Sequence, residues 1–394
     1  MNILIINSGS SSIKFQLIEM PSEVLICSGL VERIGHKDAV LNYKTKSTSL
    51  QQTDNIETHN QGLHKIVEVL LDPEKGVIEN TNEIEVVGHR VVHGGNSFSN
   101  TTLITAEVKQ EIQKYATLAP LHNPGNLEGI LVAEEFFPLA KQVAVFDTAF
   151  HQTIPEKAKK YAIPNKLYEE QGIQVYGFHG TSHQYVSEKA IEYLGLKTSK
   201  IISIHLGNGC SMTAVVDGKS IDNSLGFTPS NGLIMGSRSG DIDQGIIFYL
   251  VKNLGYSLDE VKDLLTNKSG MLGLTGFADL RDIEAEAGKG NRNCILALSM
   301  NAYRIKKYIG AYASAMNGLD AIVFTAGIGE NSSVIRKLVC TDMDFFGIDL
   351  DEAKNESKAK DLREINTTTS KVKILVIPTN EELEIAKQAF QLLN

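Results

Sequence analysis

The chain has 394 residues, 42% of them apolar and 22% charged, with a formal net charge of −9. That balance is ordinary for a globular protein, and the length predicts two domains of roughly 150–200 residues rather than one core. The acidic excess argues against a nucleic-acid surface, which shows a basic patch or stripe, but leaves room for an anionic substrate held by a few placed arginines.

Cys27, Cys210, Cys294 and Cys340 lie far apart with no C-x-x-C pair, which fits neither a zinc site nor a disulfide framework and points to a reducing cytoplasm. The first apolar stretch, 3–6, is too short for the core of a signal peptide. No run approaches the roughly 18 apolar residues of a membrane span. A soluble cytoplasmic protein is expected.

In chain order, residues 3–18 read as strand, tight polar turn and strand, ILIINSGSSSIKFQLI. The polar stretch 44–61 reads as an edge strand and loop. Apolar spacing predicts a helix over 63–71, then a buried strand over 84–87 running into Gly88-His89-Arg90-Val91-Val92-His93-Gly94-Gly95. Helices over 107–118 and 126–137 precede a strand over 142–146 that ends on Asp147. A short hinge is expected after Phe150, where Pro155 and Pro164 punctuate the chain. Residues 201–216, IISIHLGNGCSMTAVV, repeat the opening strand–turn–strand about half a chain later. Helices over 259–265 and 295–317 follow, then a strand over 321–325 ending in Gly327-Ile328-Gly329-Glu330-Asn331. Ser332 and Ser333 there can cap a further helix. A last strand over 372–377 runs into Pro378-Thr379-Asn380-Glu381-Glu382, and a helix over 383–393 closes the chain.

Strands alternating with helices predict an α/β protein with parallel pairing, and the repeat predicts a duplicated domain. Domains are expected over 1–150, joined by the closing helix of about 383–394, and over 151–382. Asn7, Arg90, Asp147, His205, Gly327 and Glu381 all fall at the carboxyl ends of expected strands, where open α/β sheets bind ligands. One shared cleft is the expectation.

The turns around Gly9 and Gly207 leave backbone N–H groups to face an anion. Lys14 and Asn7 beside the first can hold phosphate and a metal or its water. An ordinary β-turn with a solvated lysine is the plainer alternative. Neither turn is a P-loop, and neither Gly207-x-Gly209 nor Gly327-x-Gly329 completes a dinucleotide fingerprint. Arg90 and Arg238, in glycine-flanked loops, suit the bidentate clamping of carboxylate or phosphate; for Arg90 a structural ion pair is the alternative. His179 and His183 stand four apart, but Gly180 replaces the glutamate a zincin needs. His179 in a loop can donate to an oxyanion, whereas His183 reads as a core or capping residue. Asp147 between apolar neighbours is either paired or functional, and Glu381 can reach Mg²⁺ directly or through water.

The stretches NSGSSSIKF, GHRVVHGG, PLHNP, FDTAFH, GFHGTSH, HLGNGCS, GFTPSNGLIMGSRSGDID, AGIGEN and PTNEE together resemble the acetate kinase family over almost the whole chain. The resemblance implies a duplicated actin-like ATPase fold, two lobes each with a mixed sheet flanked by helices, and an active site in the cleft between them. It implies ATP + acetate ⇌ ADP + acetyl phosphate with Mg²⁺ (Mn²⁺ as a substitute) in a cytoplasmic homodimer, with no nucleic-acid or membrane partner.

By the same resemblance, Asn7 and Glu381 position the metal and Lys14 contacts nucleotide phosphates. Arg90 holds the acetate carboxylate, Asp147 is the catalytic acid, and His179 and Arg238 stabilise the transition state. His205, Leu206, Gly207, Asn208 and Gly209, with Asp279, Leu280 and Arg281 and with Gly327, Ile328, Gly329, Glu330 and Asn331, bind ATP. Val92, Leu121, Phe178 and Pro229 line a pocket for the methyl group. Because a carboxylate nucleophile needs no strong base, Asp147 reads as orienting Arg90 or metal waters rather than abstracting a proton. A propionate or butyrate kinase is the nearest alternative, and an ATP-driven scaffold of the same superfamily a more distant one.

Overall fold

A computed structural model of the chain describes every residue except 10 and 121. It divides into two compact units, Met1–Gln152 with Asn380–Asn394, and Thr153–Thr379. Glu381 and Glu382 therefore belong to the first unit. Among the described residues no helix is long and apolar enough to cross a membrane.

The first unit carries β1 (Asn2–Ser8), β2 (Ser12–Glu19), β3 (Val24–Glu32), β4 (His36–Thr45), β5 (Ser49–Ile56), β6 (Val86–Val91), β7 (Thr102–Leu103) and β8 (Lys141–Phe146). They form one sheet in the order β5-β4-β3-β2-β1-β6-β8-β7. Among the described residues, only β1, β6 and β8 run parallel. In keeping with the mixed sheets expected, β1 to β5 form an antiparallel meander, because short turns rather than helices connect them. The stretch expected as edge strand and loop supplies the end of β4 and all of β5, the edge strand.

Side chains of β1 alternate between two cores, as a two-residue period requires. Leu4 and Ile6 join a core with helices His59–Leu70 and Asn123–Phe136, while Ile3 and Ile5 join another with Ile385, Ala386 and Ala389 of the closing helix Glu381–Leu393. That helix approaches so closely that a Cβ on Gly88 would lie 2.9 Å from both Ile385 and Ile5.

The second unit carries β9 (Lys200–Leu206), β10 (Cys210–Val216), β11 (Lys219–Asn223), β12 (Ala321–Thr325), β13 (Arg363–Glu364) and β14 (Lys373–Val376), in the order β11-β10-β9-β12-β14-β13. The antiparallel hairpin β9–β10 and the parallel neighbours β9, β12 and β14 match β1–β2 with β1, β6 and β8. The short antiparallel edge strands β13 and β7 correspond as well. The sequence repeat is thus a repeat of strand order, extended in the first unit by β4 and β5. Helix Gly180–Leu194 packs on β9 and β12, and helix Arg292–Met316 on β9 and β10.

The residues after strand β12, among them Gly327 to Asn331, form a short helix, Ala326–Asn331. It opens on Ala326 at φ 63°, a left-handed conformation that an alanine adopts at a cost of roughly 1–2 kcal/mol. Ser332 then caps helix Ser333–Cys340 through the Ile335 N–H, as the sequence predicts.

Candidate active site

In the first unit, parallel pairing of β1, β6 and β8 delivers Asn7, Arg90 and Asp147 to the same edge of the sheet. The Arg90 guanidinium donates from Nε to Asp147 Oδ1 at 3.0 Å, from Nη2 to Oδ2 at 2.5 Å, and from Nη1 to Asn7 Oδ1 at 3.3 Å. Glu381 Oε2 lies 3.8 Å from Arg90 Nε. This is the fork geometry that arginine makes with a carboxylate. It shows Asp147 holding the guanidinium rather than standing alone. Burial works to lower the Arg90 pKa, but the charges of Asp147 and Glu381 outweigh it and hold the group above its ordinary value.

Across the β1–β2 ladder Lys14 sits opposite Asn7, and its Nζ pairs with Glu382 at 2.8 Å. Glu382 is only 4% exposed in its side chain, Lys14 49%. Burial pushes the Glu381 carboxyl up; Arg90 opposes this, while the neighbouring Asp147 and Glu382 add to it. The cluster therefore has more carboxylates than cations, and a divalent cation would relieve the excess. Among the described residues no three His, Cys, Asp or Glu side chains could hold a metal between them. The hard oxygen donors of Asn7 and Glu381 nevertheless fit Mg²⁺, which keeps waters and takes substrate phosphate oxygens.

The backbone following Arg90 is pinned from below. Asn126 accepts from the Val92 N–H at 3.1 Å and donates to the Ser8 carbonyl at 2.6 Å, which joins the ends of β1 and β6. Asn123 Oδ1 accepts from the His93 N–H, and Thr148 Oγ1 accepts from the Gly94 N–H. Val92 is buried. Leu121 lies outside the described residues. Phe178 and Pro229, expected to line the same methyl pocket as Val92, belong to the second unit.

The second unit gathers His179, His205, Gly207, Gly209 and Arg238. His179 is the left-handed residue (φ 56°) at the start of helix Gly180–Leu194. Its ring stacks on His205 at 4.3 Å between centroids. A Cβ built on Gly209 would lie 3.5 Å from His179 Nε2 and 3.7 Å from Arg238 Nη1, so the turn passes between the two side chains at van der Waals range. Arg238 donates to the Pro229 carbonyl at 2.8 Å and contacts the Met235 thioether. No carboxylate pairs with it among the described residues. Burial holds its pKa below the ordinary value.

Behind the imidazoles stand side chains the sequence did not single out. Ser211 Oγ lies 2.8 Å from His179 Nδ1 and 2.6 Å from His183 Nε2, and Ser203 Oγ lies 2.8 Å from His183 Nδ1. Ser182 Oγ sits 2.9 Å from His205 Nδ1. The histidine spacing hints at this, and Ser182 and Ser211 fall within the quoted stretches GFHGTSH and HLGNGCS, but nothing in the sequence marks their hydroxyls as partners of the imidazoles and Ser203 lies in no motif.

A cavity of about 770 Å³ adjoins Leu206, Gly207 and Asn208 on one side, Asp279, Leu280 and Arg281 on another, and Gly327, Ile328 and Asn331 on a third. Nine of the residues expected to bind nucleotide thus line one cavity, in the size range of a small-molecule site. Its apolar wall comes from Ile234, Met235 and Met271, which were not expected. His205, Gly209, Gly329 and Glu330 are not in the wall. Glu330 Oε1 instead accepts from the Thr379 N–H, and the carbonyls of Gly329 and Glu330 accept from buried Arg336. Asp279 caps helix Leu280–Gly288 and pairs with Arg281, whose hydrogen bonds lower the Asp279 carboxyl to about 2.

Comparison with known proteins gives a consistent result. The acetokinase family profile matches residues 2–387. An acetate kinase of Flavobacterium johnsoniae is 65% identical over 393 residues, with all of both chains covered. An acetate kinase of Carboxydothermus hydrogenoformans is 49% identical, covering 100% of this chain and 99% of that one. The crystal structure of Porphyromonas gingivalis acetate kinase superposes with a TM-score of 0.94 at 44% identity and full coverage of both chains. A propionate kinase from Francisella tularensis superposes at 0.92 with 42% identity, covering 98% of each.

Proposed function

The chain belongs to the acetokinase family, and from that premise we propose that it transfers the terminal phosphoryl group of ATP reversibly to acetate, giving acetyl phosphate and ADP by direct in-line displacement. The observation that carries this reading is that one unit holds a carboxylate-locked Arg90 while the other holds an Arg238 that has no counter-charge among the described residues. Acetate is already ionised near neutral pH, so the nucleophile needs no general base. The remaining task is positioning and charge stabilisation, each worth several kcal/mol in such transfers.

In this reading Arg90 binds the acetate carboxylate, and Asp147 holds the guanidinium in place and keeps its fork oriented. Val92, Leu121, Phe178 and Pro229 contact the methyl group. The nucleotide occupies the cavity lined by Leu206 to Asn208, Asp279 to Arg281, Gly327, Ile328 and Asn331, with His205, Gly209, Gly329 and Glu330 shaping its edges. Arg238 and His179 donate to the phosphoryl oxygens as charge builds on them. Lys14, freed from Glu382, reaches the nucleotide phosphates. Asn7 and Glu381 would hold Mg²⁺, which would supply charge neutralisation on the phosphates.

The enzyme works in the cytoplasm as a homodimer. Support for the dimer comes from helix Gly245–Leu254, which buries none of its residues and exposes Ile246, Phe248, Tyr249 and Leu254. Helix Arg292–Met316 likewise exposes Leu296, Met300 and Tyr303 at helical spacing. Apolar surface of this kind marks an interaction site.

Since one methylene in an apolar pocket discriminates by only about 1–3 kcal/mol, substrate choice is tested by kcat/KM for acetate, propionate and butyrate on the purified protein. Acetate is expected to rank first. A higher value for propionate would replace it as the acceptor.

A further inference from the structure

Ser203, His183, Ser211 and His179 form a single row of hydrogen bonds in which each link is 2.6–2.8 Å, and the first three are fully buried. A hydroxyl carries one proton and a neutral imidazole carries one. The direction of the first bond therefore dictates the direction of all the others. Among the described residues the Ser203 hydroxyl has one partner, His183 Nδ1. If Ser203 accepted from that nitrogen, its own O–H would be buried without an acceptor, which is the costlier arrangement. It therefore donates. His183 then bears its proton on Nε2 and donates to Ser211 Oγ. Ser211 in turn donates to His179 Nδ1, which leaves the His179 proton on Nε2.

We propose that this serine–histidine row is a tautomer lock: Ser203, His183 and Ser211 are positioning residues that commit neutral His179 to its Nε2–H form. The inference rests on the reading of His179 as a donor to phosphoryl oxygen, and deepens it. An imidazole with a bare Nε2 would direct a lone pair at an anionic oxygen. Protonation of the ring to give a second donor would place a cation near that of Arg238, on the other side of Gly209. The lock provides a donor without a new charge, since the tautomer of a histidine is set by what its other nitrogen binds.

The test uses full-length protein labelled with ¹⁵N-histidine, with His179 assigned by its loss in His179→Asn. Near neutral pH and without ligand, the ¹⁵N shifts are expected to show His179 as the Nε2–H tautomer. Ser211→Ala should scramble that preference and lower kcat about 10–100-fold, the range found for groups that orient metal-ligating imidazoles, with KM for ATP little changed. Ser211→Thr, which keeps the hydroxyl, should restore both. Should Ser211→Ala fold poorly, Ser203→Ala reads the same row from its far end and should also scramble the tautomer. An Nδ1–H tautomer or an imidazolium in the wild type would overturn the proposal, as would an unchanged tautomer in both alanine variants. Because the shifts are read without substrate, they stand or fall separately from acetate being the acceptor.

Discussion

Arg90 and Arg238 both emerge from glycine-rich segments, yet their surroundings are opposite. Arg90 sits among Asp147, Glu381 and Asn7, in a cluster that also holds Glu382 and Lys14. Arg238 is held by a carbonyl and a thioether, beside a glycine turn and two stacked imidazoles. The same side chain is therefore in one place a neutralised, rigid fork and in the other a cation awaiting an anion. The first suits orienting a small carboxylate next to a metal-friendly group of acids. The second suits charge that appears only as the phosphoryl group moves.

That contrast is broken most severely at Arg238. Arg238→Ala is expected to lower kcat by roughly 10³-fold or more while leaving the melting temperature near wild type, because no buried carboxylate is orphaned. Comparable losses in stability and rate together would show Arg238 to be structural. Asp147→Asn should behave the other way round. It removes the charge that compensates buried Arg90, and breaking such a pair costs roughly 3–5 kcal/mol, measurable by denaturant unfolding. Near-normal stability and turnover would exclude an essential role for that charge.

A smaller effect sharpens the comparison through pH. Glu381 is held above the ordinary carboxylate range, so it keeps its proton to higher pH in the folded protein than in the unfolded chain. Its contribution to stability is accordingly full in acid and lost as pH rises through the raised value. Glu381→Gln should then slightly stabilise the protein near neutral pH. In the wild type, the KM for Mg–ATP should climb as pH falls through the same value, by up to about 10-fold per unit. The Gln variant should be weak and flat across that range; a retained slope would assign it to another group. Smallest is Arg281→Ala. This side chain is 89% exposed, and surface pairs contribute little, so thermal stability should not change while KM for ATP rises a few-fold.

Much of this contrast is readable in the chain. Arg90, Asp147 and His205 stand out because each ends an apolar strand, and the glycine turns recur at corresponding places in both halves. What is not readable depends on contacts across long sequence separations. β3 escapes notice because Ser28 and Gly29 interrupt its pattern, yet Gly29 is there to admit the Phe15 ring, which a Cβ would meet at 2.3 Å. The left-handed Ala326 has no compositional mark, since nothing about an alanine announces positive φ. Ser211 and Ser203 become meaningful only when helix Gly180–Leu194 lays His183 against β9 and β10. Asn123 belongs to a stretch legible as a family resemblance and Asn126 lies two residues beyond it, but neither is legible as a pin beneath the Arg90 loop.

The most direct measurement is acetate-dependent formation of acetyl phosphate from Mg–ATP, trapped as the hydroxamate, for wild type, Arg90→Ala and Arg238→Ala side by side. The expected result is rapid product formation by the wild type and near-complete loss in both variants, with each still folded. Slow ATP hydrolysis by the wild type, indifferent to acetate and to both arginines, would contradict the account.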